Sequence, residues 1–153
     1  MNVLDYMNKL QSVRSKLQDE TENIIYRNEN KIIQLNTKQI DDFIGFDGNM
    51  LINSDKRYKG VYALGTQLIN PSKRAGDPYN FNDSGNLFSG FYVEVSNDLT
   101  KVTIGSTGTG SGKKAEFFRG YKNFFGLTNQ NQYILNYEII LPELNKFIKE
   151  NLK

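Results

Sequence analysis

The chain has 153 residues, which is long enough for one domain with a buried core. Its formal net charge of +2 is too small to indicate a nucleic-acid partner by itself. It contains no Cys and no His, so disulfides, thiolate metal sites and thiol nucleophiles are excluded, and the commonest metal ligand and general base are missing. Charges occur throughout the N-terminal segment and no long apolar run exists, so we expect neither a secretory signal nor a membrane span.

Residues 1–30 are predicted to form a long N-terminal helix. Its apolar residues recur at every third or fourth position, apart from one gap, and they are Val3, Met7, Leu10, Val13, Leu17 and Ile24. Charged residues fill the other faces, so this narrow stripe is expected to pack on another element. The following segment, KIIQLN, either extends the helix or forms a short strand.

Residues 66–86 are predicted to form a long, exposed loop, because the segment is rich in Pro, Gly and Asn. Its basic pair, Lys73 and Arg74, is expected on the surface. The wider span 56–122 holds ten basic and five acidic residues and therefore nets +5. This excess indicates either a solvated basic face or a surface that meets DNA or an acidic partner.

Residues 88–104 are predicted to form an antiparallel hairpin. Phe91, Val93 and Val95 alternate with Tyr92 and Glu94, which is typical of a strand with one face on a core. The polar residues 96–98 break the run before the alternation resumes. We expect the inner face of this hairpin to pack on the apolar stripe of the C-terminal helix.

Residues 105–113, GSTGTGSGK, are predicted to form a flexible glycine-rich loop between a strand and a short helix. A phosphate-binding loop has this layout, but its pattern needs Gly and Ser or Thr where this chain has Thr107 and Lys114. A looser dinucleotide fingerprint also fails, because no parallel strand follows. We therefore expect no nucleotide here, and Lys113 and Lys114 remain candidates for contact with an anion.

Residues 129–152 are predicted to form a C-terminal helix with Thr128 as its N-cap. Pro142 has no N–H group, so we expect a kink there or two helices that meet. The predicted stripe of this helix is Tyr137, Leu141, Leu144, Ile148 and Leu152. A further set of aromatic residues is expected to build the core rather than a base-stacking platform, namely Phe81, Phe88, Phe91, Tyr92, Phe117, Phe118, Phe124 and Phe125.

Together these elements predict an α+β fold in a single domain, 1–153: a small, mainly antiparallel sheet packed with a long N-terminal helix and a C-terminal helix. The missing catalytic constellations favour a protein that is not an enzyme and that needs no cofactor and no metal.

The order of several segments is similar to that of small structural proteins of tailed bacteriophages, of the head–tail joining or tail-completion type. The similarity covers roughly residues 33–152 and includes LNTKQI, GFDGNML, GDPYNFNDSGNLFSGFYVEV, FFRGYKNFFGLTNQN and EIILPELNKFIKENL. Its most specific parts are Asp83-Ser84-Gly85 before the first hairpin strand and Phe125-Gly126-Leu127-Thr128 before the last helix.

The resemblance implies a closed ring of identical copies in the virion neck or upper tail, with portal, adaptor or tail proteins as neighbours. Before assembly such a chain is expected in the host cytoplasm. Lys73, Arg74, Lys113 and Lys114 are the candidates for contact with acidic neighbours or with DNA in a central channel. Two alternatives stay open: a phage-encoded nucleic-acid-binding accessory protein that uses the basic central region, and a small nucleotide-binding enzyme that uses the glycine loop.

Overall fold

A computed structural model describes residues 2–51, 53, 60–82, 84–110 and 112–153. Asp83 of the motif named above, Ser111 of the glycine loop and the basic residues at 56, 57 and 59 lie outside these ranges. The helices of the described part are α1 Val3–Arg27, α2 Glu29–Asp41, α3 Leu64–Ile69, α4 Asn86–Ser89, α5 Lys113–Arg119, α6 Asn129–Tyr133 and α7 Leu141–Leu152. A π-helical stretch, Ile134–Ile140, joins α6 to α7, and the strands are β1 Phe91–Val95 and β2 Val102–Ser106.

The predicted α+β fold is confirmed: the described residues form one antiparallel pair of strands, β1 and β2, with a long N-terminal helix and a C-terminal helix. Phe91 is opposite Ser106 and Val95 is opposite Val102. The predicted alternation of β1 is also confirmed, because Phe91, Val93 and Val95 are buried while Tyr92 and Glu94 are exposed. The sheet therefore contributes one face to the core.

The N-terminal helix is shorter than predicted and ends at Asn28, where a second helix begins. Asn28 leaves the helical conformation, and its side-chain Nδ2 donates to the carbonyl of Ile24 at 2.9 Å and to Oε1 of Glu143 at 2.8 Å. The segment KIIQLN is therefore helical and belongs to α2. The hydrogen bond from Asn28, followed by that from Arg27, lowers the pKa of Glu143, so the stability that this ionised carboxylate contributes is lost as pH falls through that lowered value.

The C-terminal helix packs along α1 in the opposite direction. Arg27, at the end of α1, contacts Glu143 at 3.2 Å, and Glu20 and Glu150 line one groove between the two helices. The helix that contacts β1 most is α2, whose Glu29 side chain accepts the N–H of Val93 at 3.0 Å. We predicted that the inner face of the hairpin packs on the C-terminal helix. This prediction is wrong, because the helix that mainly contacts β1 is α2.

Helix runs continuously from Asn129 to Leu152, and Thr128 Oγ1 accepts the N–H of Asn131 at 3.3 Å, which confirms the predicted N-cap. The irregularity predicted at Pro142 takes the form of the π-helical stretch just before it. A π turn holds more residues than an α turn, so it shifts the phase of the apolar stripe. Tyr137 and Leu141, predicted as packed, are consequently exposed.

Aromatic residues fill the core beside the helices. Phe91 and Phe124 are buried, and Phe81, Phe88, Phe117, Phe118 and Phe125 pack against the same cluster. The core role predicted for these seven residues is confirmed, whereas Tyr92 lies on the exposed face of β1. Most of the ring pairs meet edge to face, for example Phe81 and Phe124 with centroids 4.8 Å apart.

Two buried amide side chains fasten α2 to the turn before α6. Asn36 Nδ2 donates to the carbonyl of Gly126 at 2.8 Å. Gln39 Nε2 donates to the same carbonyl at 3.1 Å, and its Oε1 accepts from the N–H of Thr128 at 2.9 Å and from Asn131 Nδ2 at 3.0 Å. Both amide side chains are buried, and the backbone groups that they satisfy belong to half-buried residues.

Removing the Gln39 side chain should destabilise the fold. Gln39→Ala is expected to lower the free energy of unfolding by about 2 kcal/mol, because the half-buried N–H of Thr128 loses its acceptor and the Asn131 amide keeps only the carbonyl of Leu35. Urea unfolding of the purified protein measures the change. Gln34→Ala is the control, since Gln34 is exposed on the same helix. Equal stability of the two variants would contradict a structural role for Gln39.

Candidate functional site

A cleft of about 380 Å³ lies where α5, the segment around α4 and the loop after β2 meet. Aromatic side chains form much of its wall, and they are Tyr62, Tyr79, Phe81, Phe117 and Phe118. Two amines, those of Lys73 and Lys114, line the same space. A concave site of this size with apolar walls and cationic groups suits an apolar group that carries a negative charge.

The structure brings together two of the four predicted contact residues. Lys73 is half-buried, with its Nζ 5.4 Å from the centroid of the Tyr62 ring, which is within cation–π range. Lys114 is exposed, and Arg74 is exposed on the turn beside Lys73 without lining the cleft. Lys113 begins α5, but its side chain lies outside the described part of the chain.

The glycine-rich loop is less free than predicted. Ser106 belongs to β2, and its Oγ donates to the carbonyl of Leu87 at 2.6 Å. The N–H of Thr107 donates to the carbonyl of Gly90 at 3.0 Å. These bonds hold residues 105–110 against the turn that precedes β1, so the expectation of a flexible linker is wrong for this half of the loop. Close packing requires glycine at positions 105 and 108, where an added Cβ would meet the Tyr92 ring and the backbone of Asn86.

The same contacts explain why the loop should not bind a nucleotide. The N–H of Gly108 donates to Ser106 Oγ at 3.0 Å, and a Cβ on Gly108 would meet the carbonyl of Asn86. A phosphate-binding loop needs such N–H groups free to face the phosphates. We expect calorimetry with magnesium and ATP to detect no binding at millimolar ligand. A micromolar dissociation constant would contradict this expectation.

The predicted loop 66–86 is also anchored at several points. It contains the end of α3, and Val61 pairs with Pro78 in an isolated bridge. The Tyr79 ring packs edge to face on that of Tyr62, with centroids 5.0 Å apart. The expectation of an exposed loop is therefore wrong for these anchored residues. It rested on the polar composition of the segment, which gave no sign of the aromatic contacts. The loop reaches the wall of the cleft instead.

In the described part of the chain, the exposed apolar side chains include three clusters on helices. The arm is the start of α1, where Val3, Leu4, Tyr6, Met7 and Leu10 are exposed. The α3 patch consists of Leu64, Leu68 and Ile69, and the tyrosine strip consists of Tyr133, Tyr137 and Leu141. Exposure reaches 79% at Val3 and 88% at Ile69. The sequence prediction missed all three as surfaces, although the spacing of residues 64 and 68, one helical turn apart, is a usable signal.

Models of known protein families do not match this chain, and neither a curated protein nor a solved structure shows significant similarity to it. Within the described residues, no helix has the length and apolar character needed to cross a membrane.

Proposed function

We propose that this chain is a structural subunit of a bacteriophage virion that forms a ring in the neck, at the head–tail connector, or in the upper tail. One observation carries the proposal: in the described residues, exposed apolar side chains occur on at least three separate surfaces, among them the arm, the α3 patch and the tyrosine strip. Large apolar side chains are costly to leave in water, and clusters of them mark contact sites.

The number of surfaces favours a ring over a simple dimer. A two-fold dimer uses one patch that meets its own copy, whereas a ring joins two different patches of adjacent copies. A ring inside a virion also meets the structures above and below it, which calls for further contact surfaces. The three surfaces of this chain suit such a subunit, and the order of its sequence segments resembles that of neck proteins.

The cleft offers charged groups for contact with a neighbouring chain, in addition to the apolar surfaces. Lys73 and Lys114 are in position to receive an acidic group of a neighbouring chain, with the aromatic wall available for an adjoining apolar group. Arg74 is exposed next to Lys73 in the chain. Together with Lys113 these residues stay the candidates for contact with acidic neighbours or with DNA in a central channel.

The decisive experiment asks whether the chain is a stoichiometric component of a purified particle and at what copy number. Sizing and electron microscopy of the pure protein supply the second measurement, with closed rings as the expected result. Tyr137→Lys should weaken ring formation, while Asn136→Lys, at the neighbouring exposed position, should leave it unchanged. A chain that is absent from particles and stays monomeric would overturn the proposal.

The nucleic-acid-binding alternative predicts a different result for the same pure protein. It requires binding to random DNA that falls steeply with added salt, because cationic side chains displace condensed counterions. Monomeric protein with such binding would favour an accessory role over a structural one.

A further inference from the structure

The arm extends beyond α7, the helix that packs along the C-terminal part of α1. With Arg27 beside Glu143 in an antiparallel pair, Leu152 at the end of α7 falls beside about residue 18 of α1. The most N-terminal buried residue of α1 is Val13. Before it, more than two turns of regular helix carry apolar side chains into solvent.

The arm has the pattern of a helix that packs on another helix. Val3 and Leu10 occupy one position of a seven-residue repeat, and Tyr6 and Val13 occupy the second, which gives the three- and four-residue spacing of a helix–helix seam. Met7 widens the stripe. The helix is also stabilised at its start, because the side chain of Asn2 accepts the N–H of Asp5 at 2.8 Å in a capping box.

Basic residues accompany this apolar seam. Residues 2–16 contain three basic side chains, Lys9, Arg14 and Lys16, and one acidic side chain, Asp5. Asp5 completes the capping box of its own helix. In the described part of the chain, ion pairs are formed by Arg27 with Glu20 and Glu143, and none involves the arm. The arm therefore presents apolar residues with positive charge beside them.

A parallel second copy is a poor partner for such a seam. In a parallel pair the repeat places Lys9 of one helix opposite Arg14 of the other, and like charges at these positions disfavour pairing. A helix with the same apolar repeat and acidic residues at its flanks would meet the arm with opposite charge. Charge complementarity of this kind selects partners and speeds their encounter.

We propose that the arm is the docking site for an acidic amphipathic helix of another protein. This inference names the partner of one of the three surfaces that carry the proposed function, so it rests on that function. The partner helix covers Val3, Met7 and Leu10 with its own apolar stripe. Its acidic residues face Lys9 and Arg14.

Two synthetic peptides of about three heptads test the inference, both with Leu at the seam positions. The acidic probe carries Glu at the flanking positions and the basic probe carries Lys. Fluorescence anisotropy with the full chain should show the acidic probe binding at least about tenfold more tightly at low salt, with a preference that shrinks as salt screens the charges. Equal affinity for the two probes would overturn the inference.

Substitutions on the arm locate the binding. Met7→Asp and Leu10→Asp should each weaken binding of the acidic probe by about tenfold or more, since they place a charge in the seam. Asn8→Asp is the matched control, because residue 8 is exposed and its side chain points away from the seam. All three positions are exposed, so thermal melting should stay near wild type. Unchanged binding in the seam variants would overturn the inference.

Measuring the oligomeric state and the DNA binding of the same proteins tests whether a second copy or nucleic acid occupies the arm instead. A wild-type dimer that Met7→Asp dissolves would assign the arm to a second copy, and DNA binding lost in the same variant would assign it to nucleic acid; either result overturns the inference. Rings without arm-dependent probe binding would overturn this inference alone. Arm-dependent probe binding without rings would overturn the proposed function alone.

Discussion

Val93→Asp is expected to prevent folding. Val93 is 5% exposed and belongs to the main hydrophobic cluster. An aspartate there would be a buried charge with no cationic partner, and its cost of more than about 4 kcal/mol is comparable with the whole stability of a domain this size. Soluble yield and the presence of a cooperative melting transition measure the effect.

Glu94→Asp is the control for this change, since it places the same side chain one residue later on the outward face of β1. We expect that variant to fold like the wild type. A soluble Val93→Asp protein that melts cooperatively would show that the inner face of the hairpin is not part of a core. The expectation does not depend on which helix covers that face, because burial alone sets the cost.

The hairpin was predictable because its side-chain period is visible in five consecutive residues. Its partner was not, since the apolar stripes of several helices are equivalent in sequence. Asn36 and Gln39 were invisible for another reason. Amides are usually exposed, and their burial here follows from the backbone groups of Gly126 and Thr128 that they satisfy, which adjacent sequence does not reveal.

The arm shows that the spacing of apolar residues does not reveal which part of a helix is covered. The stripe from Val3 to Ile24 recurs along the helix apart from one gap, yet only its second half is covered, and α7 is about half as long as α1. A repeat predicts which face of a helix is apolar but not whether the same chain covers it. The length of the covering element decides that, and length is a property of the other segment.

The cleft could not be predicted either, because its residues are far apart in the sequence. The chain between Lys73 and Lys114 contains α4, both strands and a 3-10 turn at Thr107–Thr109, and the aromatic anchors of the intervening loop bring the two lysines to one space. Composition identified both as cationic surface residues. It could not separate Lys73 from its neighbour Arg74, which has the same charge and lies outside the cleft. Only the turn geometry distinguishes the two positions.

Phe124→Ala is expected to give the second large effect, a loss of about 3–5 kcal/mol in the free energy of unfolding. Phe124 is 1% exposed and its ring contacts those of Phe81, Phe118 and Phe125, with centroids 4.8, 5.6 and 5.0 Å away. Truncation removes these contacts and leaves a cavity that surrounding rings fill only in part. The melting temperature should fall by roughly 10 °C.

Tyr133→Ala is the matched control, because Tyr133 is an aromatic residue of the exposed tyrosine strip and should change stability little. A Phe124→Ala variant as stable as this control would mean that the aromatic cluster collapses without loss. The cleft provides a second readout. Phe81 and Phe118 contact Phe124 and also line the cleft, so the cavity left by truncation lies directly behind that wall. The core thus sets the shape of the surface that carries Lys73 and Lys114.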